Sequence, residues 1–241
     1  MCPAGGPGLL DVRIARKRVA NAAGQPVEIL SNLAFRLKAG QVGALIGPSG
    51  CGKTTCMRIV AGLDQGFEGA VQRPAGPVAM VFQEPRLLPW RTVEDNIRLA
   101  APRVTEAELA ALLKPLGLQD HRAHFPGELS LGLARRVALA RAFAVRPSLL
   151  LLDEPFVSLD APLARALERE LVALIAGRPV TTVLVTHNVG EAIRLADRIV
   201  VLSPRPARVL GEIAVDAPRA AMSAAVARSI EDSVEALRAP A

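Results

Sequence analysis

The chain has 241 residues, 51% of them hydrophobic and 22% charged, which excludes a disordered tail and predicts a packed globular protein of one or two domains. Its 29 Lys and Arg outnumber 23 Asp and Glu, a net charge of +6, and because only Lys17, Lys38, Lys53 and Lys114 are lysines the excess is arginine. With six Phe, one Trp and no Tyr there is little to stack on exposed bases, so the charge reads as an intermixed, solvated surface and no nucleic acid is expected as partner.

Residues 1–17 lack a basic segment followed by an apolar one, and no run reaches the ~18 uninterrupted apolar residues of a membrane span. The expectation is a cytoplasmic chain that meets a membrane only through a partner. Cys2, Cys51 and Cys56 show neither disulfide nor metal spacing and are expected as reduced thiols.

In chain order, residues 9–37 alternate in short β-like runs around the turn material Gly24-Gln25-Pro26, an antiparallel opening. A buried strand at 41–46 then runs into Gly47-Pro48-Ser49-Gly50-Cys51-Gly52-Lys53-Thr54-Thr55, and Met57, Ile59, Val60 and Leu63 follow at helical spacing. Between Glu84 and Pro147 the character is Pro-punctuated helix, including 105–116 with a capping-box start and 131–145. Further apolar strands are predicted at 78–82, 149–152, 180–185 and 199–202; near-continuous apolar runs separated by helices indicate a mainly parallel sheet covered on both faces. The tail, 222–238, puts Val226, Ile230, Val234 and Leu237 on one helical face, a stripe suited to packing.

Gly47 to Thr54 fits G-x-x-x-x-G-K-[ST] completely, between a strand and a helix as that motif requires. Glycines at 47, 50 and 52 let successive N–H groups turn inward at a helix N-terminus, an anion nest for phosphates. Lys53 would reach the β- and γ-phosphates and the Thr54 hydroxyl would bind Mg²⁺; the bland alternative is a glycine turn with a surface lysine. The run 148–155 ends a buried strand on Asp153 and Glu154, and because adjacent side chains on a strand point to opposite faces the two acids are expected to do different work. Asp153 is placed to hold Mg²⁺ and Glu154 to take a proton from attacking water, unless the two acids merely end a strand.

The order of these motifs resembles the nucleotide-binding subunits of ABC transporters over roughly residues 9–211. Gln83 in Val81-Phe82-Gln83-Glu84 resembles the Q-loop, which touches Mg²⁺ and relays to the membrane subunit. Leu129-Ser130-Leu131-Gly132-Leu133 resembles the signature motif, Ser158-Leu159-Asp160 the D-loop, and His187 the switch histidine, although a lone His after a strand is equally an ordinary polar cap. The resemblance implies an α/β fold, a P-loop NTPase of ABC type with an N-terminal antiparallel β subdomain and an inserted α-helical subdomain. It divides one ABC ATPase domain into a nucleotide-binding core at 9–83 and 148–216, helices at 84–147 and a C-terminal helix at 217–241. It further implies Mg²⁺-dependent ATP hydrolysis, with catalytic Glu154, His187 and Gln83. Nucleotide contacts would come from Gly47 to Thr55, Ser130 and Gly132; metal contacts from Thr54, Gln83 and Asp153. ATP would be sandwiched in a head-to-tail homodimer.

Within the family, residues 82–97 are similar to the importers of nitrate, sulfonates and taurine. The implied partners are integral-membrane permease subunits and, through them, a solute-binding protein, with the chain peripheral on the cytoplasmic face of the inner membrane. Trp90 is read either as a contact for the permease or as a buried core anchor. No added regulatory domain is expected. Two departures stand out: the common Leu-Ser-Gly-Gly-Gln becomes Leu-Ser-Leu-Gly-Leu, with Leu131 and Leu133 the new residues, and residues 12–33 hold no aromatic to stack on adenine. The first suggests a non-hydrolysing regulatory subunit as an alternative, the second a tolerance of GTP. The arginine content keeps open a third reading, an ABC-type ATPase acting on nucleic acid or ribosomes.

Overall fold

The computed structural model describes residues 9–215 and 222–239. Its elements are β1 (Leu10–Ala20), β2 (Pro26–Leu37), β3 (Val42–Ile46), α1 (Lys53–Ala61), β4 (Glu68–Gln72), β5 (Val78–Val81), α2 (Val93–Ala100), α3 (Glu106–Leu113) and α4 (Leu131–Ala144). They continue as β6 (Leu149–Asp153), α5 (Ala161–Gly177), β7 (Thr181–Thr186), α6 (Val189–Leu195), β8 (Arg198–Leu202), β9 (Val209–Ala214) and α7 (Ala224–Arg238). The chain divides into two compact units, 1–75 with 180–241, and 76–179.

In the first unit the antiparallel opening forms as expected. Leu10, Val12 and Ile14 are buried on β1 while Arg13 and Ala15 face out, and the Asn21 side chain accepts hydrogen bonds from the Ala23 and Gln25 amides at 3.0 and 2.9 Å to close the β1–β2 turn. β4 joins the other edge of β1, with Gly69 opposite Ile14. A Cβ at Gly69 would stand 2.1 Å from the Arg13 carbonyl, so the strand approaches only because that position is glycine. In the second sheet of this unit β3 lies between β7 and β8, parallel to both, and β9 runs antiparallel to β8. All of β3 and β7 is buried, the physical origin of their uninterrupted apolar runs. β4 has few apolar residues, and β9, though its sequence is Val-Leu-Gly-Glu-Ile-Ala, buries none of them fully and is interrupted by Gly211 and Glu212; neither gives a clear strand pattern in the sequence.

Helix α7 starts on Ser223, whose side chain accepts from the Val226 amide, and buries Ile230 and Val234. Val226 is 42% exposed; the packing stripe therefore occupies only the C-terminal part of the helix. The expected boundary near 216–217 and the Cys2 thiol lie outside the described residues. Among the described residues no helix is long and apolar enough to cross a membrane.

In the second unit β5 and β6 pair in parallel, and α2, α3 and α4 close around Val93, Ile97, Leu109, Leu113, Val137 and Ala140. The capping box at Thr105 and Glu108 is formed, but α3 ends at Leu113 rather than 116, the chain turning through Gly117 at φ 62°. Residues 82–92 are not helical. Asn96, 1% exposed, organises them: its side chain accepts from the Leu88 amide at 2.8 Å and donates to the Leu88, Arg91 and Thr92 carbonyls at 2.9–3.2 Å.

Candidate nucleotide site

The loop Gly47–Gly52 leaves β3 and enters α1 with Gly50 at φ 74° and Gly52 at φ 120°, backbone that L side chains rarely adopt. At Gly52 a Cβ would also stand 2.8–2.9 Å from Leu30 and Ile29, so β2 presses on the loop where the helix starts. Gly47 is needed for a different reason, since a Cβ there would meet Leu202 and the Cys51 sulfur at 3.0–3.1 Å. Lys53 is buried, its Nζ donating to the Gly47 and Pro48 carbonyls at 2.9 and 3.0 Å, which parks the cation on the loop that would carry phosphate. Ser49 and Gly50 form the turn, which the Cys51 amide closes by donating to the Pro48 carbonyl; Thr54 is exposed and Thr55 half-buried on the first turn of α1. Burial and the neighbouring Cys51 push the Cys56 thiol up to about 12, so it stays a protonated core group. Met57, Ile59 and Val60 are buried as the periodicity predicts, whereas Leu63 lies past the left-handed Gly62 cap and is 58% exposed.

His187 follows β7 and is exposed. Asn188 takes the cap position, its side chain accepting from the Glu191 amide, so the histidine is not the helix cap. Thr186 Oγ1 donates to Glu191 and accepts from the Asn188 amide, which fixes the backbone on either side of the imidazole. Gly47, Pro48 and His187 line one cavity of about 320 Å³, so the glycine loop and His187 are brought together within this unit.

The remaining site residues belong to the second unit. Asp153 is the last, buried residue of β6. Glu154 has left the strand, with φ 47°, so the expectation that the two acids alternate across a strand is corrected: a left-handed residue, not the pleat, separates them. Gln83 is exposed just past β5. The loop after it is pinned to α4 by Arg141, which donates to the Pro85 and Arg86 carbonyls at 2.9 Å, and burial pulls that guanidinium's pKa down. Arg86, at φ 47°, stacks 4.1 Å over the Phe82 ring.

The signature segment is an ordinary capped helix start. Ser130 caps α4, its hydroxyl accepting from the Leu133 amide at 3.3 Å. Gly132 is buried, and a Cβ there would stand 2.7 Å from Leu163, so this glycine lets α4 lie against α5. Leu133 packs into the helical core and Leu131 is 44% exposed. Trp90 lies in a turn and is 69% exposed, so the buried-anchor reading and its placement in a helix are both corrected.

Sequence reasoning missed Arg205, which donates to the Gly50 carbonyl at 2.6 Å, and Arg135, which donates to the Pro155 carbonyl beside Glu154. The partners lie 155 and 20 positions away, so no local pattern marks them.

Comparison with known proteins places the chain in a class. The family described as "ABC transporter" matches residues 30–157. An aliphatic sulfonates import ATP-binding protein of Pseudomonas syringae pv. syringae is 43% identical over 208 residues, 86% of each chain. Another of that name from Burkholderia cenocepacia is 41% identical over 222 residues, 88% of this chain and 80% of its own. Among solved structures, a dimeric ATP-binding cassette in a post-hydrolysis state bound to ADP and Pi superposes with a TM-score of 0.75 at 26% identity, covering 87% of this chain and 100% of its own. The chain belongs to the ABC transporter family. It is an ATP-binding cassette of that family, an α/β P-loop protein that hydrolyses ATP.

Proposed function

We propose that this chain energises import of a small solute, an aliphatic sulfonate or a relative such as nitrate or taurine. It would work as a head-to-tail homodimer beneath permease subunits that receive solute from a binding protein at the inner membrane. The solute class is supported by likeness to sulfonate import ATP-binding proteins over 86% of each chain. The observation that carries the chemistry is the glycine loop with Lys53 held on its carbonyls. In this reading the loop Gly47 to Thr55, through its N–H groups (Pro48 has none), and Lys53 bind and orient the phosphates, Glu154 polarises water and takes its proton, and His187 with Gln83 senses the γ-phosphate. Ser130 and Gly132 serve the nucleotide of the other copy.

Thr54, Asp153 and Gln83 offer hydroxyl, carboxylate and amide oxygens, a hard donor set that fits Mg²⁺. When bound, the ion would neutralise phosphate charge; no cluster of three His, Cys, Asp or Glu among the described residues competes as a closed metal site. The division into a core at 9–83 and 148–216, helices at 84–147 and a tail helix is part of the same reading.

The test is ATP and GTP hydrolysis by the parent and by Glu154→Gln, with light scattering at saturating Mg-ATP. Slow parental turnover, reduced about 10²–10⁴-fold in the variant while an ATP-bound dimer accumulates, is the expected result. A parent that binds ATP but never turns over, even with its permease, makes the chain a regulatory subunit.

A further inference from the structure

The cavity that touches the phosphate loop has a second wall that the nucleotide chemistry leaves unused. Besides Pro48 and His187 it is lined by Leu202, Pro204 and Leu210, and by Arg238 from the last turn of α7. Arg238 is held in place from two sides. Ile230 and Val234 are buried beneath the helix, and Leu237 lies so close to β9 that a Cβ at Gly211 would stand 2.7–2.8 Å from its methyl groups. The Nε atom of Arg238 is buried and has no hydrogen-bond partner among the described residues. Its Nη1 has only a long 3.4 Å contact to Glu235, which is 70% exposed on the helix surface. Nε itself is enclosed, so a ligand can meet only the 27% of this side chain that is exposed, and the residues lining the cavity include no carboxylate to pair with it.

We propose that this cavity binds a small anion with a short aliphatic tail, an alkyl sulfonate or alkyl carboxylate, its head group on Arg238 and its tail against Leu202, Pro204 and Leu210. Three observations carry this. The one arginine in the lining has only the long Glu235 contact as an ion pair, which selects an anion. The rest of the wall is mostly aliphatic, which a bare inorganic anion would not use. The volume, about 320 Å³, lies at the small end of ligand cavities and suits a chain of a few carbons. The site stands on these features whatever solute the transporter carries.

The experiment titrates the full chain, without nucleotide, with 1-pentanesulfonate and with hexanoate, using ligand-observed NMR, and uses sulfate and 1-pentanol as controls. The same titration is run on Arg238→Gln and Arg238→Lys, with circular dichroism to show that both fold. The expected result is one saturable site for either amphiphilic anion, weakened about tenfold to a hundredfold in Arg238→Gln and less in Arg238→Lys. Retained affinity in Arg238→Gln overturns the proposal. So does sulfate binding as tightly as pentanesulfonate, which makes it a bare anion site, or pentanol doing so, which makes it a greasy pocket. One-for-one displacement by a non-hydrolysable Mg-ATP analogue would assign the cavity to the nucleotide and also overturn it. Because the readout is binding alone, a failure of the transport reading leaves the result interpretable.

Discussion

The loop at Gly47–Thr54 and the turn at Leu129–Leu133 are the two segments assigned to phosphate, and they are built differently. In the loop the backbone carries the shape: Gly50 and Gly52 sit at φ 74° and 120°, and β2 side chains leave no room for a Cβ at 52. In the turn Ser130 sits at φ −63°, ψ 159°, an ordinary N-cap that any residue's backbone can reach, and what distinguishes this chain is two side chains, Leu131 and Leu133. A site made of backbone tolerates almost no substitution, whereas a helix start keeps its fold while its surface chemistry drifts.

That contrast can be broken or sharpened by substitution. Gly52→Ala, straining a left-handed residue against Leu30 and Ile29, is expected to abolish nucleotide binding and to lower stability by about 1–3 kcal/mol, read by equilibrium dialysis and urea melts. In the second unit Asn96→Ala, which orphans the Leu88 amide and the Arg91 carbonyl while the Leu88 and Thr92 carbonyls keep backbone partners, should cost about 1–3 kcal/mol. Trp90→Ala, a few residues earlier but 69% exposed, should stay within about 0.5 kcal/mol in the same melts. If Trp90 proves as costly as Asn96, the loop is packed in a way its exposure contradicts.

At the signature turn Leu131→Gly should change stability by at most about 1 kcal/mol, the helix-propensity difference, yet raise ATP turnover severalfold if the exposed leucine hinders its partner's nucleotide. Unchanged turnover would mean that Leu131 is neutral. The smallest effect concerns pH. The Lys17 ammonium donates to Asp64 at 2.7 Å and, with the Gly66 amide, holds that carboxyl below its usual range. A depressed carboxyl pKa stabilises the fold above the unfolded value, near 4, and that contribution fades as pH falls through the lower folded value. Asp64→Asn should therefore flatten the acid limb of a stability curve below about pH 4 and leave little pH dependence from this pair near neutrality.

Much of the fold was legible because burial on both faces writes itself into composition. The runs at 149–152 and 180–185 emerge as β6 and β7, buried throughout, and the helix expected at 131–145 emerges as Leu131–Ala144. β4, with the sequence Glu-Gly-Ala-Val-Gln, carries no such signal because its pairing is licensed by Gly69 rather than by apolar side chains. Trp90 was ambiguous because a tryptophan suits a core and an interface equally, and only its exposed place in the turn with Pro89 removes the core reading. The separation of Asp153 from Glu154 was anticipated for the wrong reason, since pleat alternation fails once a residue turns left-handed.

Residue order alone was enough for the glycine loop between β3 and α1, the strand that ends on Asp153 and the parallel strands, since each depends on contacts between neighbours in sequence or on periodic burial. The positions of Arg205 on Gly50, Arg141 on the Gln83 loop and Arg238 in the cavity beside His187 came only with folding. The first two of those contacts join residues 155 and 55 positions apart, and an arginine's long, flexible side chain leaves no periodic trace of the carbonyl or cavity it will reach.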